Sequence, residues 1–202
     1  MNTMKKVAVT GTIASGKTTV SILLRRKGYR VFDCDGYSRI LYRTTDPCYQ
    51  KIVDAFGDSI LDEFGEIDRR KLAAIIFSDE EKRQLLNSIT HPAIAEGMKR
   101  FFANHPEEDL IFAEVPLLFE AHLESIFDAI IVVTCAREKA VARMMEDRGY
   151  TEEEANRRYD SQTHPDHAIE QPVIIIENDG TLAELNDRVE EVLEELEADH
   201  AD

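Results

Sequence analysis

An eight-residue segment near the start of the chain carries the residue types of a phosphate-binding loop. It follows the pattern G-x-x-x-x-G-K-[ST] and reads Gly11-Thr12-Ile13-Ala14-Ser15-Gly16-Lys17-Thr18. In such a loop, backbone N–H groups and the following helix N-terminus bind phosphate oxygens. Lys17 then contacts the β and γ phosphates, and the Thr18 hydroxyl ligates Mg²⁺. The segment therefore predicts a nucleotide-binding site.

A loop of this kind serves kinases, GTP-operated switches and mechanical ATPases, and other features separate these classes. No Asn-Lys-x-Asp tetrapeptide, which a GTPase uses to bind guanine, occurs in the chain. Mechanical ATPases usually need a larger core and a ring of subunits, whereas this chain has 202 residues. The sequence favours a kinase that acts on a small metabolite.

Two aspartates, Asp33 and Asp35, follow an apolar run from Tyr29 to Phe32. The carboxyl ends of parallel strands face the ligand crevice, where a carboxylate can accept the proton of an attacking hydroxyl. Residues two apart on a strand share a face, and Asp35 is our candidate for the catalytic base. The alternative for Asp35 is that it only caps a helix that begins near Tyr37. For Asp33 two roles stay open, contact with Mg²⁺-bound water or a structural role.

A third acidic residue, Glu114, stands near the end of the apolar run from Leu110 to Val115. An acid in this place holds Mg²⁺ directly or through a water molecule, in the manner of a Walker B carboxylate. The alternative is a buried salt bridge. Glu114 and Thr18 are the predicted metal ligands.

The elements that position these residues alternate between strands and helices. Strands are predicted at Lys6–Val9, Tyr29–Phe32, Leu110–Val115, Ile130–Val133 and Val173–Ile176. Each is apolar through most of its length, as a strand covered on both faces would be. Helical patterns separate them, at 18–27, 137–148 and 181–202 among others. The alternation predicts an α/β fold with a parallel sheet flanked by helices.

The stretch from about Gly36 to Asn104 is too long for a simple connection and predicts a small helical subdomain. Pairs of residues that contain proline or glycine recur in it and indicate several short helices joined by turns. These pairs are Asp46-Pro47, Phe56-Gly57, Phe64-Gly65 and His91-Pro92.

Composition and charge exclude several classes of function. The chain has 24 Lys and Arg against 40 Asp and Glu, a formal net charge of −16, which disfavours binding to nucleic acid or anionic membranes. No apolar run approaches the roughly 18 residues of a membrane span, and Met1 to Lys6 lack a signal-peptide pattern. The three cysteines show no metal-ligand spacing, so we expect reduced thiols and a cytoplasmic protein.

Short motifs of recognisable spacing run along nearly the whole chain. They are Thr10-Gly11, Ser15-Gly16-Lys17-Thr18-Thr19, Asp33-x-Asp35, Phe56-Gly57, Asp68-Arg69-Arg70 before Leu72, Phe77, His91-Pro92, Pro116-Leu117-Leu118-Phe119-Glu120, Arg143, Arg148, Gln162 and Asn178-Asp179-Gly180. Together they resemble the dephospho-CoA kinase family, and the Pro-Leu-Leu-Phe-Glu and His-Pro elements are the most specific. The resemblance implies a P-loop NTPase-type enzyme that uses ATP and Mg²⁺ to phosphorylate the ribose 3′-hydroxyl of dephospho-CoA, the last step of coenzyme A synthesis.

The resemblance also implies how the chain is divided. A nucleotide-binding core would comprise residues 1–35, 105–136 and 166–202, and a helical subdomain of residues 36–104 would bind the CoA substrate. Residues 137–165 would form a lid. The expected assembly is a monomer or a weak homo-oligomer.

Site roles follow from the same resemblance. Nucleotide contacts are expected from residues 11–19, among them Thr19, and from Arg148, Asn178 and Gly180. Substrate contacts are expected from Asp35, His91, Pro116, Leu117, Leu118 and Glu120. Arg143 would bind the transferring phosphoryl group when the lid closes. Some alternatives stay open: a helix-end role for Arg148, an ordinary turn at 178–180, a helix-boundary or core histidine at 91, and a core position for Leu118.

The chain departs from the family pattern at a few positions. Thr12 and Ala14 stand where the family's loop usually has glycine, and Glu114 stands where it often has Asp. Residues 164–172 replace the usual basic residue and Ala-Asp. The Ala-Ser-Gly-Lys-Thr sequence is also similar to the loop of uridine kinases, so a uridine or nucleoside-monophosphate kinase is the alternative function.

Overall fold

The structure is a computed structural model that describes residues 4–162 and 169–201. The described residues form five strands: β1 Lys5–Gly11, β2 Arg30–Asp33, β3 Leu110–Glu114, β4 Ala129–Thr134 and β5 Val173–Glu177. They also form eight α-helices: α1 Lys17–Arg26, α2 Cys34–Leu41, α3 Pro47–Phe56, α4 Arg69–Ser78, α5 Glu80–Ala103, α6 Arg137–Arg148, α7 Glu152–Asp160 and α8 Leu182–Ala201. Residues 163–168, which include the end of the predicted lid and part of the divergent stretch 164–172, lie outside the described residues.

The five strands form one sheet in the order β2-β3-β1-β4-β5. The pairs β1–β3, β1–β4 and β4–β5 are parallel, which confirms the predicted α/β fold. Val9 is opposite Glu114, and Gly11 is opposite Val133. The register therefore brings the start of the phosphate-binding loop and the acid at the end of β3 to the same edge of the sheet.

The centre of the sheet is buried as the apolar runs predicted. Val7, Phe112 and Ile131 pack in one core cluster with residues of α1 and α8, among them Leu24 and Val192. The prediction was wrong for β5, because Val173 and Ile175 are 43% and 54% exposed. This strand lies at the edge of the sheet, so helices cover only part of it.

Contacts divide the chain into two compact units, Met1–Phe32 with His105–Asp202, and Asp33–Asn104. The second unit consists of α2 to α5 and has its own core, which includes Leu41, Ile52 and Leu86. Helix α3 begins at the boundary expected at Asp46-Pro47, with Asp46 accepting a hydrogen bond from the Cys48 N–H and Pro47 in the first turn.

The prediction of a helix break at His91-Pro92 was wrong. Pro92 lies inside α5, a continuous helix of 24 residues. A proline removes one N–H donor and crowds the preceding turn, at a cost of about 3 kcal/mol. Leu86 on one side of it belongs to the core cluster and Ile94 on the other side packs against that cluster, and this packing holds the helix together across the proline.

The residues after β4 form a helical pair. Helix α6 has the predicted bounds, whereas α7 was not predicted. Thr151 caps α7 by accepting a hydrogen bond from the Glu154 N–H, and acidic residues fill the first turn. No helix among the described residues is long and apolar enough to span a membrane.

Candidate active site

The phosphate-binding loop connects β1 to α1, as the motif predicted. Its first glycine, Gly11, has φ 149°, and a Cβ there would lie 2.0 Å from the Val133 carbonyl oxygen. Gly16 has φ 98°, and a Cβ there would lie 2.2 Å from Asn178 Nδ2. Both glycines are therefore needed for backbone conformation and for close approach of a neighbouring element.

The outer side of the loop is held by residues from α6 and from the segment after β5. Arg143 Nη1 donates to the Ala14 carbonyl at 3.1 Å, and its Nη2 donates to the Asn178 carbonyl at 3.0 Å. Asn178 Nδ2 donates to the Ser15 carbonyl at 2.7 Å. The guanidinium of Arg143 is thus already bound to the loop in this structure.

A third contact comes from the segment just after α7. The Ile13 N–H donates to Gln162 Oε1, and Gln162 Nε2 donates to the Tyr159 carbonyl at 2.9 Å. Ile13 and Ala14 also pack against a small apolar cluster that contains Met144 of α6. The sequence pointed to Gln162 only as a family match and gave it no role.

Lys17 begins α1 and folds back over the loop. Its ammonium group donates to the carbonyl oxygens of Gly11 at 3.0 Å and Thr12 at 2.9 Å. These bonds place the positive charge beside the loop, where it can contact phosphate oxygens.

The Cys135 thiol donates a hydrogen bond to the Ala14 carbonyl at 3.8 Å. Burial raises the pKa of this thiol, so it is protonated at neutral pH.

The two predicted metal ligands are brought together. Thr18 Oγ1 donates to Glu114 Oε1 at 2.7 Å, and Glu114 is only 6% exposed. No ion pair to Glu114 occurs among residues 4–162 and 169–201, which argues against the salt-bridge alternative. A hydroxyl and a carboxylate beside a phosphate loop are oxygen ligands of the kind Mg²⁺ prefers, so these residues fit a magnesium ion.

The turn after β5 carries Asn178 and Gly180, for which nucleotide contacts were expected and an ordinary turn was the alternative. The Asp179 carboxylate accepts a hydrogen bond from the Ala136 N–H at 2.7 Å, and Asn178 is 7% exposed. Thr181 and Glu184 form a reciprocal capping box at the start of α8, beside Gly180. These contacts give the turn a structural role, in which Asn178 is buried and Asp179 and Gly180 are exposed.

Arg148, an expected nucleotide contact, lies at the end of a helix. Arg148 is the last residue of α6, is exposed, and is followed by Gly149 with φ 67°. A cation in this place interacts favourably with the helix C-terminus, which is the alternative role stated for Arg148.

Leu118 is fully buried, so it belongs to the core, whereas its neighbour Leu117 is 49% exposed. Pro116 is half-buried and Glu120 is exposed.

The acidic pair of the second unit is arranged differently from the prediction. Helix α2 begins at Cys34, and Asp33 is its N-cap, with Oδ1 accepting a hydrogen bond from the Gly36 N–H at 2.9 Å. Asp35 is therefore on the first turn of a helix, not on a strand face shared with Asp33, and the prediction that a helix begins near Tyr37 was wrong. The capping alternative fails for Asp35 and applies to Asp33 instead.

The carboxylate of Asp35 is exposed. Among the described residues it makes no hydrogen bond or ion pair, while its backbone carbonyl accepts from the Ser38 hydroxyl at 2.8 Å. His91, in the same unit, is half-buried within α5, and burial lowers its pKa. The imidazole is therefore neutral at pH 7.

Comparisons with known proteins now identify the family. The family model described as dephospho-CoA kinase matches residues 5–184. The chain belongs to the dephospho-CoA kinase family. A dephospho-CoA kinase of Bacillus cereus is 38% identical over 189 residues, which covers 93% of this chain and 94% of the relative.

Solved structures agree with this assignment to the dephospho-CoA kinase family. The dephospho-CoA kinase of Campylobacter jejuni superposes with a TM-score of 0.69 at 26% identity, covering 95% of this chain and 96% of that one. The protein TT1252 of Thermus thermophilus gives a TM-score of 0.79 at 30% identity, covering 96% and 98%. The resemblance read from the motifs is confirmed, and the comparisons do not favour a uridine or nucleoside-monophosphate kinase.

The structure also explains how the phosphate-binding loop tolerates a non-glycine residue where the family usually has glycine. Ala14 has φ 56°, a left-handed conformation that costs a side-chain-bearing residue about 1–2 kcal/mol. Its methyl group packs in the cluster with Met144, and its carbonyl accepts from Arg143. Contacts from α6 therefore offset the strain that glycine would avoid.

Proposed function

We propose that this protein transfers the γ-phosphoryl group of ATP to the ribose 3′-hydroxyl of dephospho-CoA, giving coenzyme A and ADP. One observation carries the proposal: a complete phosphate-binding loop, with Thr18 bonded to a buried Glu114, in a chain of the dephospho-CoA kinase family. A loop of this kind binds the phosphates of a nucleotide, and the family gives the acceptor.

On the nucleotide side, the loop of residues 11–19 binds the phosphates of ATP, in part through backbone N–H groups that have no protein acceptor among the described residues, such as that of Gly16. Lys17 neutralises charge on the transferring phosphoryl group, and Arg143 supports the loop and adds positive charge beside it. Thr18 and Glu114 hold Mg²⁺, directly or through water, and the ion would neutralise the charge of the β and γ phosphates.

On the acceptor side, Asp35 accepts the proton of the 3′-hydroxyl as its oxygen forms a bond to the γ phosphorus. The bond from that phosphorus to the β,γ-bridging oxygen breaks, and ADP leaves. An exposed carboxylate with no protein partner among the described residues suits this role, because it is free to receive the hydroxyl.

The remaining roles belong to the same proposal. Residues 36–104 bind the CoA part of the substrate, with His91 as a neutral hydrogen-bonding group, and the exposed Leu117 and Glu120 contribute beside Pro116. Residues 137–165 act as the lid, and Arg148, Gly180 and Asn178 lie on the nucleotide side. The protein acts as a cytoplasmic monomer or weak homo-oligomer, and its acidic charge suits a small-molecule substrate more than a nucleic acid.

A coupled ADP-release assay tests the proposal across dephospho-CoA, uridine, CMP and AMP, with Mg²⁺ present. Turnover is expected with dephospho-CoA and not with the other acceptors. Lys17→Ala is the control for adventitious kinases and should lower kcat/KM by about 10²- to 10³-fold while the protein stays folded. Turnover of uridine or CMP in preference to dephospho-CoA, or full activity in folded Lys17→Ala, contradicts the proposal.

A further inference from the structure

The Ser15 carbonyl oxygen is the point at which two other elements hold the phosphate-binding loop. Asn178 Nδ2 donates to it at 2.7 Å and Arg143 Nη1 at 3.4 Å. These donors come from the segment after β5 and from α6, so the loop is tied to both. In a trans peptide the C=O and the following N–H point in opposite directions. Fixing the Ser15 carbonyl therefore aims the Gly16 N–H away from Asn178.

Several N–H groups of the loop are bound within the protein, and that of Gly16 is not. Those of Thr12, Ile13 and Ser15 each donate to a protein oxygen, at Val133, Gln162 and Thr12 respectively. The Gly16 N–H has no protein acceptor among the described residues. It is thus available to a ligand, and the carbonyl of its own peptide group is the one that Asn178 holds.

The surroundings of Asn178 leave its side chain little freedom for another role. The residue is 7% exposed, its N–H donates to the Thr134 carbonyl at 2.8 Å, and its own carbonyl accepts from Arg143. The amide nitrogen lies where a Cβ on Gly16 would be, at 2.2 Å. Glycine at position 16 therefore permits the approach of Asn178, beyond the freedom it gives the backbone.

We propose that Asn178 is a positioning residue for phosphate binding, which holds the Ser15–Gly16 peptide so that the Gly16 N–H faces the phosphate, and that it acts through the loop and not on the adenine base. This inference rests on the proposed function only in that the ligand is a phosphate of a nucleotide. The element that supplies the contact is the end of β5, so the sheet edge sets the orientation of the loop peptide.

The experiment compares binding of ATP with binding of inorganic tripolyphosphate, both with Mg²⁺, by calorimetry on wild type and Asn178→Ala. Tripolyphosphate has no base, so it measures the loop alone. We expect the variant to bind both ligands about tenfold more weakly, since one hydrogen bond that orients a phosphate donor is lost. A fall for ATP with unchanged tripolyphosphate binding would show an adenine contact and overturn the inference, as would unchanged binding of both.

Two further measurements separate positioning from a general structural role. The control is Asn186→Ala, because Asn186 Nδ2 bonds to Glu190 on α8 and does not contact the loop; this variant should bind both ligands as wild type does. The amide signal of Gly16 in an ¹⁵N-resolved NMR spectrum should shift on adding tripolyphosphate in wild type and shift less in Asn178→Ala. An unaltered Gly16 response, with only a lowered melting temperature, contradicts the inference.

Asn178→Asp is the second variant if the alanine variant does not fold. It has nearly the same shape but places an acceptor where the Nδ2 donor was, so tripolyphosphate affinity should again fall about tenfold, and wild-type affinity overturns the inference. Because tripolyphosphate binding needs no acceptor substrate, its result holds whether or not dephospho-CoA is phosphorylated. Failure of the inference and failure of the proposed function therefore give different results.

Discussion

The phosphate-binding loop and the first turn of α2 both carry residues proposed to act in catalysis, yet they are held in different ways. Contacts from α6, α7 and the segment after β5 fix the loop at its carbonyl and N–H groups. The first turn of α2 has a local cap, the bond from the Gly36 N–H to Asp33, and the Asp35 carboxylate has no partner among the described residues.

The difference fits the two kinds of chemistry. A loop that binds phosphate through backbone N–H groups must keep them oriented before the ligand arrives, so tertiary contacts to its outer side are useful. A general base must instead be free to accept a proton, and a carboxylate already hydrogen-bonded or ion-paired is a weaker base. The contrast predicts that substitutions in the two regions affect different quantities.

The largest expected effect is on the acceptor side. Asp35→Asn keeps the shape and removes the basicity, so kcat should fall by about 10²- to 10⁴-fold while dephospho-CoA binding changes by no more than a few-fold. Turnover and direct binding are measured on the same folded sample. Asp33→Ala is the matched control: it removes the helix cap, costs about 0.5–2 kcal/mol of stability and should leave kcat nearly unchanged. Normal turnover by Asp35→Asn would show that Asp35 is not the general base.

The loop side is tested by two glycines with almost the same φ. Gly16 has φ 98° and Gly28 has φ 101°, but a Cβ on Gly28 meets no atom within 4 Å. Gly28→Ala should cost only the left-handed strain, about 1–2 kcal/mol. Gly16→Ala adds the clash with Asn178, about 1–3 kcal/mol more. Urea denaturation measures both, and equal costs would show that Asn178 moves aside freely.

Arg143→Lys should lower ATP affinity and kcat by about tenfold. Lysine keeps the charge but cannot donate to the carbonyls of Ala14, Ser15 and Asn178 together, so both ATP affinity and kcat should decrease. Calorimetry and steady-state kinetics give the two values. A lower kcat with unchanged ATP affinity would instead indicate that Arg143 acts only as charge develops on the transferring group.

The smallest expected effect concerns His91 and the stability of the second unit. Burial lowers the pKa of this imidazole below 6.5, so the unfolded chain binds its proton more readily than the folded protein. The stability that comes from burying His91 in its neutral form is therefore present above pH 6.5, and it is lost as the pH falls from there through the folded pKa. Denaturation midpoints between pH 7 and 5 should fall less in His91→Gln than in wild type, and parallel profiles would refute this.

Local sequence determined much of this protein. The apolar runs predicted five strands to within two residues, and the motif predicted the loop between β1 and α1. Asp46-Pro47 predicted a boundary between short helices, and α3 begins there, because a cap and a proline act within a single turn. These features depend on neighbours in the chain, and periodicity and spacing therefore reveal them.

Only the tertiary structure decided the rest. Whether Pro92 breaks α5 depends on the core packed on both sides of it, and whether β5 is covered depends on its place at the sheet edge. Asn178 and Ser15 are 163 residues apart in the chain, and Gln162 and Ile13 are 149 apart. No local pattern records such a pairing, because a hydrogen bond between distant residues forms only where the sheet register and helix packing bring its two atoms together. The sequence specifies which groups can bind phosphate, and the packing of α6, α7 and the end of β5 decides which of them are oriented to do so.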